Sequence, residues 1–212
     1  MRDFPMFTTE NGVGSLVLKE IPYRRAAYIT IRDSLSPDTF LAECVDFCRA
    51  VGGERIYACG HDFLEKYPLY TTVVQMTCSL FTLEETDACL FPVTEQTLGR
   101  WREIYNNRMD NIDNASFMSE QATRELLNSG DAYFIHRNGE LLGIGKASGN
   151  RIDCIASVKR GSGGEIVRAL AHGLLSDPIV LDVATTNTRA MHLYTSMGFI
   201  PTMEISKWYK II

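Results

Sequence analysis

The residues best placed to do chemistry lie between Asp153 and Pro201. Arg160-Gly161-Ser162-Gly163-Gly164-Glu165 sits between a predicted strand and a predicted helix. A glycine-rich helix start presents backbone N–H groups that have no intrahelical acceptor, together with the positive end of the helix dipole. Phosphate groups bind such ends, and glycine lets the backbone come close to them. Arg160 adds a charge-assisted donor. The same glycines are also compatible with a tight turn and nothing more. A mononucleotide P-loop is excluded, because no Lys-Ser or Lys-Thr follows the glycines. A dinucleotide loop would begin at Gly161 and Gly163 but meets Ile166 where its third glycine belongs. Asp182, at the end of the following strand, nevertheless imitates a ribose-binding acid, so a dinucleotide-dependent oxidoreductase stays open as a lesser alternative. Against it, antiparallel hairpins precede the loop and too little chain follows to finish a doubly wound sheet.

A second element follows one strand later. Asn187-Thr188-Arg189-Ala190-Met191-His192-Leu193-Tyr194-Thr195-Ser196-Met197-Gly198-Phe199 has the form N-x-x-A-x-x-L-Y-x-x-x-G-F. With the loop before it, this resembles the GCN5-related N-acetyltransferase (GNAT) superfamily, over roughly Leu90 to Ile212. Arg160 and Gly163 match the family's Q/R-x-x-G-x-G/A loop, and Glu165 departs from it.

The resemblance implies a role for particular residues. The strand end at Ala156, Ser157 and Val158 would hydrogen-bond the pantetheine arm of acetyl-CoA. Arg160 and the amides of Gly161, Ser162, Gly163, Gly164 and Glu165 would hold the pyrophosphate. Asn187 and Ala190 would lie against the pantetheine or thioester, and Tyr194 would donate a proton to the departing coenzyme A thiolate. The implied activity is N-acyl transfer from acyl-CoA to a small-molecule or peptide amine. A non-catalytic acyl-CoA-binding module is the main alternative, supported by Glu165 and by the absence of an evident base. Glu103 and Tyr105 are the nearest candidates for that base and also suit ordinary helix positions. Each site residue has a plainer reading too: Tyr194 as core, Asn187 as a helix N-cap, Glu165 as a favourable first-turn acid and Cys154 as packing.

The elements that must position these groups are legible. Thr94 caps a helix running to about Asp110, and Ser119 caps another ending near Asn128. Asn138-Gly139 makes a two-residue hairpin turn, and Gly149-Asn150 leads into a strand from Arg151 to Val158. After the loop, Val167, Leu170, Ala171 and Leu174 form a helical stripe, and Ile179 to Val183 reads as a central strand. The two strands flanking the loop helix should be parallel neighbours, with an opening between them for the cofactor. Two final strands are expected, Phe199 to Ile205 and Lys207 to Ile212. In the first part, strands are expected at Val13 to Ile21, Ala26 to Ile31, Arg55 to Cys59 and Thr71 to Thr77. A helix after Ser36-Pro37 should bury Phe40, Cys44, Phe47, Cys48 and Val51. The corresponding loop, Asp33 to Pro37, lacks glycine and begins with an acid, so it should bind no pyrophosphate. The order from Ala26 parallels the order from Arg151, which suggests a degenerate GNAT-like copy over residues 1–88 and the transferase over residues 89–212. The expected architecture is α/β: a GNAT-like mixed, mostly antiparallel sheet flanked by helices, preceded by a smaller α/β partner domain.

Composition sets the outer bounds. The 212 residues carry a net charge of -5, which disfavours a nucleic-acid partner. The start of the chain, Met1 to Gly14, has no apolar leader-like segment, and no apolar run approaches the roughly 20 residues of a membrane span. The six cysteines contain no CxxC pair and the four histidines no ligand spacing, so buried free thiols in a cytoplasmic protein are expected, with no metal.

Overall fold

The structure, a computed structural model, describes residues 5–110, 112 and 116–212. The expectation for Met1 to Phe4 lies outside the described residues. The chain forms two compact units: Met1–Val73 with Glu204–Ile212, and Val74–Met203. The division thus falls at Val73/Val74, not near residue 88, and the end of the chain returns to the first unit.

The first unit holds β1 (Met6–Thr9), β2 (Gly12–Val17), α1 (Ile21–Arg24), β3 (Ala26–Ser34), α2 (Pro37–Ala50), β4 (Arg55–Cys59) and the beginning of β5 (Leu69–Cys78). Strands β1, β2 and β3 are antiparallel neighbours, and β4 lies parallel to β3 with α2 as the crossover. The expected strand from Val13 to Ile21 is cut short. Pro22 sits in the first turn of α1 and lacks the N–H a strand would need there. On α2 the buried face is Phe40, Leu41, Cys44, Val45 and Cys48, whereas Phe47 and Val51 are exposed. The apolar stripe is therefore centred one step round from its expected position, and Phe47 instead meets Phe7 at a ring distance of 5.3 Å.

The second unit holds the rest of β5, then β6 (Cys89–Pro92), α3 (Glu95–Met109), α4 (Glu120–Ser129), β7 (Ala132–Arg137), β8 (Glu140–Ser148), β9 (Arg151–Ser157), α5 (Gly163–Leu174), β10 (Ile179–Ala184), α6 (Thr188–Ser196) and the start of β11 (Ile200–Lys210). Its strand order is β5-β10-β9-β8-β7-β6. Neighbours from β6 to β9 are antiparallel, and β9 and β10 are parallel. The two expected final strands are one, β11, running through residue 206 without a break. The caps fall where expected: Thr94 and Thr97 form a reciprocal capping box, and the Ser119 hydroxyl accepts from the Ala122 amide. Asn138 and Gly139 both take positive φ in the β7–β8 turn.

Two bulges decide which face each side chain serves. Leu142 is an extra residue on β8 and Asp153 an extra residue on β9. Leu142 and Ile152 therefore join the core under α5, while Ile144, Cys154 and Ala156 turn to the opposite face beneath Trp101 and Ile104 of α3. Helix α5 can lie low on the sheet because Gly143 and Gly145 have no side chains. A Cβ at Gly145 would stand 2.6 Å from Leu170, and one at Gly143 would collide with Ile166 one turn earlier. Among the described residues no helix is long and apolar enough to cross a membrane.

Candidate functional site

The loop after β9 is pinned from one side and open on the other. The Leu142 carbonyl, at the β8 bulge, accepts from the Val158 amide at 2.9 Å, the Lys159 amide at 3.1 Å and the Ser162 hydroxyl at 2.9 Å. Ser162 is buried, and its own amide points back to the Lys159 carbonyl. Its groups thus shape the loop. The donors left at the N-terminus of α5 are the amides of Gly163, Gly164 and Glu165, first-turn groups with no intrahelical acceptor. Gly161 adopts φ +86°, which an L side chain resists, and a Cβ there would meet nothing. Arg160 is exposed, and among the described residues no ion pair involves it.

Glu165, the residue out of pattern, has a cationic neighbour from another strand. Its carboxylate pairs with Arg137, at the end of β7, at 2.6 Å. This pair offsets the negative charge that Glu165 brings to the first turn of α5.

In front of this helix end, β9 and β10 part. They are in register only at Arg151 with Val180 and at Ile152 with Leu181. From Asp153 to Ser157 the β10-facing edge of β9 has no registered partner strand, while its other edge stays paired to β8. The closed end of the opening is fastened by ion pairs that the sequence did not reveal. Arg151 pairs with Asp182 across the two strands and also reaches Asp153 at 3.6 Å, and Lys146 bridges Asp153 and Asp131. By contrast, β3 and β4 in the first unit pair along the whole of β4, from Ala26 with Arg55 to Thr30 with Cys59. Its Asp33 to Pro37 loop has no such cleft beside it.

Tyr194 is buried on α6, 5.7 Å from the Phe199 ring, in the core that α5 and β10 share. Burial, and after it the neighbouring Cys154, pushes its hydroxyl pKa far above the ordinary value, so it is protonated at any physiological pH. Burial pushes the Cys154 thiol up to about 12. A thiol held neutral is a poor nucleophile, which argues against a covalent acyl-cysteine route. Asn187 is the N-cap of α6, its side-chain oxygen accepting from the Ala190 amide at 3.2 Å. That bond occupies the Ala190 donor, so Ala190 can offer only its methyl group. The Ala156 side chain is buried under α3 and its carbonyl points at β8 beside Gly143, and the Val158 amide is held by the Leu142 carbonyl, so of the three expected strand-end contacts only the Ser157 backbone faces the opening. Of the candidate bases, Glu103 is paired with Arg100 at 2.7 Å, and Tyr105 stacks on Trp101. His172 lies across the Leu83 and Glu84 carbonyls, a structural use.

On the face opposite α5, a groove of about 190 Å³ runs beside the end of β9, lined by Arg100, Ile104, Asn107, Arg108 and Val158. Among the described residues no cluster of His, Cys, Asp and Glu is placed to hold a metal ion.

No protein-family model matches the chain, and no curated protein matches its sequence. Solved structures do match. A GCN5-related N-acetyltransferase from Kribbella flavida is 12% identical, with a TM-score of 0.55, covering 99% of this chain and 90% of its own. A functionally unknown conserved protein from Staphylococcus epidermidis ATCC 12228 is 12% identical, with a TM-score of 0.59 over 99% of this chain and 94% of its own. A tandem GNAT protein from the clavulanic acid biosynthesis pathway is 11% identical, with a TM-score of 0.50 over 94% of this chain and 79% of its own. At such identities the likeness establishes the fold, which is the GNAT-like α/β architecture expected from the sequence. An oxidoreductase built on a doubly wound parallel sheet does not fit this topology, and Asp182 is already paired with Arg151.

Proposed function

We propose that this chain is an acyltransferase that moves an acetyl or other acyl group from acyl-CoA to an amine by direct attack. The observation that carries the reading is the parting of β9 and β10 directly before the N-terminus of α5. An exposed strand edge suits the amides of a pantetheine arm, and the helix end suits a diphosphate. The groups present fit that substrate, because Arg137 offsets the charge of Glu165.

The chemistry asks little of the protein. The amine lone pair forms the C–N bond at the thioester carbonyl, and the oxyanion then collapses, breaking the C–S bond. The nitrogen gives up a proton to water or a base, and the thiolate leaves. Tyr194 serves as a hydrogen-bond donor to that thiolate. Full proton transfer from it would run uphill, since its pKa lies above that of a thiol. The first unit, with the same strand–helix–strand order and no glycine loop, is read as a degenerate copy that supports the second.

The test is thermal stability and calorimetry with acetyl-CoA, and with NAD as the contrasting ligand. A ligand at a hundredfold excess over its dissociation constant adds about 2.7 kcal/mol. Gly161→Asp places a carboxylate beside the free amides, and Gly161→Asn is its neutral match. Both residues tolerate positive φ better than most. The asparagine variant should keep binding, and the aspartate variant should lose at least tenfold. Indifference of the wild type to millimolar acetyl-CoA, or equal binding by both variants, ends this reading. Binding without turnover over a broad amine panel would favour the non-catalytic alternative.

A further inference from the structure

We infer that the groove between α3 and the end of β9 is a subsite for the carboxylate of an acceptor amine, so that the preferred acceptors are amino acids or similar amino-carboxylates. This rests on the acyltransfer reading and adds the class of substrate.

The lining is donors on an apolar floor. Arg100, Asn107 and Arg108 supply N–H groups, and Ile104 and Val158 lie between them. Arg108 is the anchor. Its guanidinium donates to the Val158 carbonyl at 3.0 Å, which fixes it against the strand end without cancelling its charge. Among the described residues no carboxylate is paired with it. Arg100 stands two helical turns away, about 12 Å along the axis. Its ion pair with Glu103 is exposed on both sides and so holds it weakly. A carboxylate at Arg108 would meet a planar fork of donors suited to two-point contact.

The position matters as much as the charge. Cores on opposite sides of the sheet place α5 on one face of β9 and α3 on the other. A diphosphate at the start of α5 leaves the α3 face of the opening for the attacking amine. An anion held at Arg108 would be on that attacking side.

The test uses the full chain saturated with coenzyme A and follows binding by protein-observed NMR. One probe is a mixture of the twenty common amino acids, the other a mixture of their methyl esters. Free-thiol release with acetyl-CoA is measured on the same pairs. The acids should bind or react at least tenfold better than the esters. Arg108→Gln should erase that preference through KM, and Arg108→Lys should restore part of it. Acetyl-CoA affinity should be unchanged in both variants. Equal response to acids and esters, or none to either while acetyl-CoA binds, overturns the inference and leaves the acyltransfer reading standing. If Arg108→Gln weakens coenzyme A but not dephospho-coenzyme A, the groove serves the nucleotide phosphate and the acceptor assignment falls. Failure to bind acetyl-CoA at all is failure of the parent reading.

Discussion

Replacing Tyr194 by phenylalanine separates packing from chemistry at one atom. The ring is 7% exposed and packs on Phe199 within the main core of the second unit. Phenylalanine keeps that ring. No hydrogen bond contributes to the raised pKa of the hydroxyl, which comes from burial and then from Cys154. Removing the hydroxyl should therefore change stability by no more than about 1 kcal/mol. At roughly 2–4 °C per kcal/mol for a chain of this size, the melting temperature should stay within a few degrees of wild type. Turnover should behave differently. A hydrogen bond to a charged acceptor contributes about 1.5–3 kcal/mol, which converts to a fall in kcat of roughly 10- to 150-fold. Acetyl-CoA affinity should not move, because the bond forms only as the thiolate develops. The shape of the pH–rate profile should also persist, since Tyr194 does not titrate near neutrality. The assay is free-thiol release with the best amine from a screen, or with water as the acceptor, which breaks the same C–S bond. A kcat within twofold of wild type refutes the donor role. A loss of more than about 2 kcal/mol of stability would mean the hydroxyl is structural.

Two further outcomes follow from the packing. Gly163 sits in the α5–α6 contact, where a Cβ would stand 2.9 Å from Leu193. Gly163→Ala should cost about 1–3 kcal/mol in chemical denaturation, and Leu193→Ala added to it should cost less than the sum of the two; strict additivity would contradict this contact. Thiols and pH give the other. Burial raises Cys44 and Cys154 to about 12 and Cys48 to about 11 from an ordinary 9.0. Above pH 9 the unfolded chain loses these protons while the folded chain keeps them. The stability they protect is whole below that pH and drains as the pH climbs to about 12, by about 1.4 kcal/mol per pH unit for each thiol. Denaturation from pH 8 to 10.5 should show the decline, and Cys154→Ala should flatten it. At pH 7.5 exposed Cys89 should be the thiol that reacts fast with a disulfide reagent; fast labelling of Cys44 would refute its burial.

The sequence alone determined the local grammar of the second unit. Caps at Thr94, Ser119 and Asn187, the Asn138-Gly139 turn and the glycine loop before a helix are written in neighbouring residues, because turn and cap preferences act over a few positions. The parallel pairing of β9 with β10 also followed, since a helical crossover leaves little choice of direction. What spans the sheet was decided only by tertiary structure. The bulges at Leu142 and Asp153 exchange the faces of β8 and β9, and a one-residue shift of register has no local signature. Glu165 reads as an obstacle in sequence, and Arg137, which offsets its charge, lies 28 positions earlier on another strand. The same holds for the Arg151–Asp182 clasp, for the Leu142 carbonyl that pins the loop and for the donors that Arg108 and Asn107 bring to the end of β9. Each depends on distant residues meeting, and one sequence records which groups exist without recording which of them meet.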